Sequence, residues 1–314
     1  MIGPLERILY LKKMPAFAHL PLEALAAIAD VLRERQFPKG AVVQREGEAV
    51  SRIQIVLDGK ISASRNGVAM AGSGPGTPLG ALPVLARDPH GYLGIAEIDT
   101  FALELDSDAL LEVCEDHFVI VHQILRYLSQ WMVSIEQRLG PQRPPADVRL
   151  ERLGTGELDL VERIFFLRQI GPFASASINA LAEFSRGLTE VHFRPSVPLW
   201  VEGDTAHYIL LIVDGQVSCV SSLYGQGFEA GPGQAVAAME TVAEARHWFS
   251  ATTLTPVTAL HGTVESLIDV FEDNFEMAMD YAALLARELL AFLERAGPDV
   301  QVPKATLPTQ RPLD

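Results

Sequence analysis

The chain has 314 residues, 48% apolar and 21% charged, a globular composition long enough for two domains that each bury a core. A formal net charge of −15 with no Lys/Arg cluster argues against a nucleic-acid partner, because the sequence-independent part of that affinity comes from cations on phosphates. No apolar run reaches about 18 residues, the length that spans a bilayer. The start, Met1-Ile2-Gly3-Pro4-Leu5-Glu6-Arg7, has no basic stretch leading into an apolar one, so the cytoplasm is the expected location.

Taken in chain order, the first element is helical. Leu22, Leu25, Ile28, Ala29 and Leu32 fall on one face at helix spacing. The pattern then shortens: 41–48 and 52–61 are β-prone runs punctuated by glycine, the mark of a small antiparallel sandwich or barrel. Gly72-Ser73-Gly74-Pro75-Gly76 reads as a turn of that barrel, since no Lys-Ser/Thr follows to make it a phosphate loop. Helix period returns at Asp106, behind an acidic first turn that suits the helix dipole. Leu111, Cys114, Phe118, Val121, Leu125, Leu128, Met132, Ile135 and Leu139 then alternate steps of three and four. Such a heptad predicts a helix–helix seam.

The same series is then written again. Residues 7–61 and 163–217 align without a gap, pairing Arg7 with Arg163, Phe17 with Phe173, Leu25 with Leu181, Glu46-Gly47 with Glu202-Gly203 and Asp58-Gly59 with Asp214-Gly215. One further residue of offset extends the match through a second heptad run at Ile268, Phe271, Phe275, Ala278, Ala282, Leu285, Leu289 and Phe292. The period is too long for a solenoid unit, so the chain holds a duplicated domain. The proline- and glycine-rich stretch from Gly140 predicts a linker over 140–162, between domains at 1–139 and 163–296. The aperiodic tail 297–314 is expected to be disordered. Long helices near 107–139 and 263–295 are expected to pair as an internal pseudo-dimer, or to join two chains as a homodimer.

Helix, glycine-punctuated β-roll and closing helix together resemble the cyclic-nucleotide-binding domain of bacterial catabolite activators and protein-kinase regulatory subunits. The residues that carry the resemblance are Phe37, Gly40, Glu46-Gly47-Glu48, Ile53, Ile55-Val56 and Asp58-Gly59-Lys60-Ile61. In the second copy they are Phe193, Leu199, Glu202-Gly203-Asp204, Ile209, Leu211-Ile212 and Asp214-Gly215-Gln216-Val217. The resemblance implies an α+β chain of two tandem β-rolls of double-stranded β-helix or jelly-roll type, each with short N-terminal helices and a long C-terminal one. It also implies a pocket in each roll, lined by a phosphate cassette that reads Phe-Gly-Glu-Leu-Ala-Leu and then Pro-Arg-Ala-Ala. In that family the glycine and the backbone N–H groups after it hold the cyclic phosphate, the arginine adds a charged contact, and the glutamate accepts from the ribose.

Here the first cassette reads Gly80-Ala81-Leu82, then Pro89-His90-Gly91-Tyr92, and the second Ala237-Ala238-Met239, then Arg246-His247-Trp248-Phe249. Ala81 and Ala238 stand where the glutamate belongs, and His90 and His247 where the arginine belongs. Each lost charged hydrogen bond is worth roughly 1.5–3 kcal/mol, so a micromolar ligand would weaken on the order of a hundredfold. A protonated histidine could restore one contact to an anion.

The expected function is a non-enzymatic regulatory or scaffold protein that acts on a protein partner through degenerate pockets. The alternative is a small-ligand sensor for a cyclic nucleotide or another anion, chiefly in the first domain. No nucleophile, base and orienting group assemble from the motif order, so no enzyme is expected. The eight histidines show no metal spacing, and neither a metal nor a cofactor is expected. Too few residues follow Gly297 for a winged helix-turn-helix, so a DNA-binding regulator is not expected. Cys114 and Cys219 read as small buried hydrophobes.

Overall fold

Strand alternation and heptad spacing become two rolls and their helices in the computed structural model, which describes residues 2–139, 157–223, 225 and 227–296. Most of the expected linker and the whole expected tail lie outside these residues. The chain opens with α1 (Pro4–Lys13) and α2 (Leu22–Val31), then β1 (Arg33–Phe37), β2 (Val42–Gln44), β3 (Arg52–Asp58), β4 (Ile61–Arg65), β5 (Val68–Ser73) and β6 (Pro78–Leu79). A short α3 (Ala81–Leu85), β7 (Leu93–Ala96) and β8 (Thr100–Asp106) complete the roll, and α4 (Ser107–Asp116) and α5 (Phe118–Leu139) follow.

The second half repeats the series as α6 (Leu160–Arg168), α7 (Ile178–Gly187), β9 (Thr189–Phe193), β10 (Pro198–Trp200), β11 (Tyr208–Asp214), β12 (Val217–Val220) and β13 (Gly227–Ala230). It continues with β14 (Ala235–Val236), α8 (Ala238–Val242), β15 (Ser250–Thr253), β16 (Val257–Thr263), α9 (Val264–Asp273) and α10 (Phe275–Ala296). The first roll has sheets ordered β1-β8-β3-β6 and β2-β7-β4-β5; the second has β9-β16-β11-β14 and β10-β15-β12-β13. The orders correspond strand for strand, and all pairs are antiparallel. Even the irregularity recurs: β3 slips against β8 between Val56 and Asp58, and β11 against β16 between Ile212 and Asp214.

The repeated residues prove to be structural. Arg7 donates to the carbonyls of Ala29 and Leu32, and Arg163 to those of Ser185 and Leu188, in each copy satisfying orphan carbonyls at the end of the second helix. In the Asp-Gly pair the glycine has φ +96 at Gly59 and +92 at Gly215. A Cβ there would lie 2.7 Å from the Asp99 carbonyl oxygen or 2.1 Å from that of Pro256, so only glycine fits.

The long helices differ from expectation. Each is broken, at His117 (φ −132, ψ 75) and at Asn274 (φ −132, ψ 70). At the second break Asn274 donates from its side chain to the Val270 carbonyl, 3.0 Å, offering the backbone an alternative to a continued helix. Among the heptad positions Val121, Leu125, Met132, Ala278, Ala282, Leu285 and Leu289 are buried. Phe118, Ile268 and Phe275 are half-buried, and Leu111 and Leu139 are exposed.

Grouped by packing, the described residues up to 123 together with 286–296 form one compact unit, and those between 124 and 285 form the other. The sequence repeat, by contrast, changes over within 140–162. No described helix is long and apolar enough to cross a membrane.

Candidate functional site

In the first unit the cassette follows β6. Gly80 is the N-cap of α3 in the left-handed region, φ 92, and a Cβ there would lie 2.8 Å from the Arg52 carbonyl oxygen and 3.2 Å from the Tyr92 hydroxyl. Ala81 and Leu82 begin the helix as expected. After it, Gly91 (φ +57) passes so close to Glu48 that a Cβ would lie 2.1 Å from that carbonyl oxygen. The Gly47 N–H donates to the His90 carbonyl at 2.7 Å, so the Glu-Gly motif anchors the cassette through main chain.

The side chains sort into inside and outside. Tyr92 is buried and packs with Val50, Val56, Ile61, Ala63 and Leu79. Burial pushes its hydroxyl pKa up. The resemblance gave that position a small residue, and a buried ring stands there instead. His90 points the other way: its side chain is 79% exposed, and only Asp88 stands beside the ring, 3.3 Å from Nδ1. Asp88 is nearly buried and receives the Arg65 guanidinium. Burial disfavours its charge, but the N–H of His90 and the Arg65 guanidinium outweigh that and hold its carboxyl below the usual range. A second carboxylate, Glu294 of α10, also pairs with Arg65.

The second unit preserves the backbone and changes the filling. Ala237 occupies the N-cap of α8 with φ 66, a left-handed conformation without glycine, and Ala238 and Met239 begin the helix. The Gly203 N–H donates to the His247 carbonyl at 2.8 Å, repeating the anchor. His247, however, is 3% exposed and stacks on Trp200, with ring centroids 4.4 Å apart and planes at 15°. Burial pushes its pKa down to about 4, against the pull of Asp204, with His207 adding to the lowering. Phe249, Trp248 and Phe228 continue the cluster edge-on and stacked. Trp200 donates from Nε1 to the Phe249 carbonyl at 3.0 Å. Across the surface of this unit Arg126 of α5 meets Glu244 at 3.3 Å, and Gln130 donates to the Ala243 carbonyl at 3.1 Å, both at the end of α8.

All the residues singled out in the sequence therefore lie in the two cassettes. The two histidines occupy matching backbone positions with opposite exposures. Arg65, Asp88 and Glu294 in the first unit and Trp200 in the second escaped the sequence reading. A charged residue in phase with Ile61 and Ala63 was the available signal for Arg65, and a tryptophan in the place of Gln44 for the second. In each copy the motif glutamate serves the neighbouring hairpin: Glu46 accepts from the Asn66 N–H, and Glu202 from the Ser222 N–H and hydroxyl at 2.7 and 2.8 Å.

Residues 34–117 match the family of the cyclic nucleotide-binding domain. A CRP-like cAMP-activated global transcriptional regulator of Mycobacterium tuberculosis is 29% identical over 112 residues, 34% of this chain and 50% of the relative, so the chain spans about half the length of the curated relatives it matches. Among solved structures, the regulatory subunit of a cAMP-independent protein kinase A from Trypanosoma brucei aligns over 93% of this chain and 92% of its own, at 15% identity and TM-score 0.36. The N-terminal domain of a transcriptional regulator from Streptomyces coelicolor A3(2) aligns over 43% of this chain and 96% of its own, at 22% identity and TM-score 0.39. The first roll thus matches the family model of the cyclic nucleotide-binding domain over residues 34–117, and the second roll repeats its topology strand for strand.

Proposed function

We propose that the chain is a regulatory protein whose two cyclic-nucleotide-binding folds act through protein–protein contact rather than through a bound nucleotide. The observation that carries this reading is that each cassette is packed with the protein's own rings, Tyr92 in one and the Trp200–His247–Phe249 group in the other. A pocket filled this way must expel a buried aromatic side chain before a base can enter. Apolar side chains also stand exposed at matching places in the two copies: Leu5, Leu9 and Leu22, and Val161, Phe165 and Ile178. Repeated exposure of this kind supports contact with another protein.

Cyclic AMP and cyclic GMP at about 1 mM are expected to leave the melting temperature of the full chain unchanged. A ligand at a hundred times its dissociation constant would add about 2.7 kcal/mol and be plain in the same assay. A clear shift with either nucleotide overturns the reading.

A second reading, an anion sensor in the first roll, is favoured by one feature. The Arg65 guanidinium lies at the cassette from which the family arginine is missing.

A further inference from the structure

The cassette position that the family gives to arginine holds an outward-facing histidine, so the first roll has no cation there. A cation nevertheless reaches the cassette from the sheet. Ile61 and Ala63 of β4 point into the core, and side chains along a strand alternate, so Arg65 continues the same inner face. Across the strand pair, Ile61 faces Ala96, Ala63 faces Gly94 and Ser64 faces Leu93. The Arg65 side chain is only 13% exposed, and its Nε atom is buried with no hydrogen-bond partner. The remaining nitrogens meet two carboxylates: Asp88, two residues before His90, and Glu294 in the penultimate position but one of α10.

These two carboxylates are not equivalent. Asp88 is 11% exposed and also accepts from the His90 N–H at 3.2 Å, which fixes it as part of the cassette. Glu294 is 39% exposed, lies close to the end of a helix, and pairs with Arg65 across a solvent boundary. A guanidinium binds phosphate oxygens in the same planar, two-pronged manner as carboxylate oxygens.

We propose that Arg65 is the anion-binding residue of the first roll, for a phosphate-bearing ligand, and that Glu294 is its built-in occupant. An incoming phosphate group displaces Glu294, Asp88 keeps the guanidinium in place, and the end of α10 is released. This rests on the second reading above and names its site, its ligand class and its output. The incoming anion competes with a carboxylate tethered in the same chain.

The test is titration calorimetry on the full chain with inorganic phosphate and, separately, cyclic AMP. The variants are Glu294→Gln, Arg65→Gln and Arg65→Lys, each checked for folding by its melting curve. Glu294→Gln is expected to tighten binding of at least one of the two probes by roughly tenfold or more, the loss of one charged competitor. Arg65→Gln should abolish that binding and Arg65→Lys retain part of it. Hydrogen exchange supplies a second reading: adding the same probe to wild-type protein should lower protection in the last two turns of α10. Tightening for phosphate alone identifies a free anion as the ligand; tightening for cyclic AMP alone identifies a nucleotide phosphate. Binding that is unchanged in Glu294→Gln, or that survives in Arg65→Gln, overturns the assignment of the site while leaving a sensor in place. No binding of either probe to wild type or to Glu294→Gln overturns both.

Discussion

The two cassettes occupy matching places in a repeated sequence, carry histidine at the same position, and reach opposite outcomes. His90 stands in solvent, whereas His247 is sealed in a stack of rings. The difference lies in the strand opposite. Where the second copy has Trp200, the first has Gln44, whose side-chain amide donates to the carbonyls of Arg45 and Glu48. An imidazole over an indole gains face-to-face contact and excludes water; an imidazole over an amide already engaged with backbone gains neither. What a substitution does in this fold is decided by its cross-strand neighbour.

The largest test of that comparison removes the platform. Trp200→Ala should cost about 3–5 kcal/mol, the usual loss for a buried large aromatic, while Gln44→Ala should cost under about 1 kcal/mol at an exposed amide. Urea denaturation of both variants reads the contrast, and equal losses would break it.

The next test uses pH. His247 is held neutral in the folded chain down to about pH 4, whereas in the unfolded chain it takes up a proton near its ordinary value of 6.5. Between those values the unfolded state binds the extra proton, so stability contributed above pH 6.5 drains away as pH falls and is spent by about pH 4. At about 1.4 kcal/mol per pH unit this amounts to roughly 3–4 kcal/mol. His247→Gln should lose that part of the acid dependence, visible as a shallower fall of stability between pH 6.5 and 4. An unchanged profile would show that the stack does not bury the imidazole.

The smallest test concerns the turn into each short helix. Ala237 holds a left-handed conformation that costs an L-residue roughly 1–2 kcal/mol, so Ala237→Gly should stabilise the chain by about 0.5–1 kcal/mol after the entropy of the unfolded glycine is counted. Gly80→Ala, the reciprocal change, should destabilise by about 1–3 kcal/mol, because strain is joined by the close approach of the Arg52 carbonyl. Thermal melts of the two variants moving in the same direction would contradict the shared geometry.

Much of this architecture is legible in the sequence because its signals are periodic. The duplication and the alternation of short strands with helices follow from spacing and from residues that recur, and the cassettes were placed through the resemblance to the cyclic-nucleotide-binding domain. The helix breaks at His117 and Asn274 were not legible: neither residue is proline or glycine, and the heptad runs through both without a skip. Arg65 was missed for another reason. It lies on a strand well upstream of the cassette it serves, and only the pairing of β4 with β7 and the return of α10 bring its partners within reach. The fate of the histidines was equally hidden, since Gln44 and Trp200 declare their roles only once the strands are folded over them.

The link from Gly47 to the His90 carbonyl, repeated from Gly203 to His247, bears on how such a loop changes over generations. A loop whose course is held by main-chain atoms places no demand on the side chain it carries. Drift at that one position can then try histidine outside, histidine inside or any other residue while the strand–loop–strand path stays as it was. The chain has explored two of those choices within a single molecule, and neither trial disturbed the frame around it.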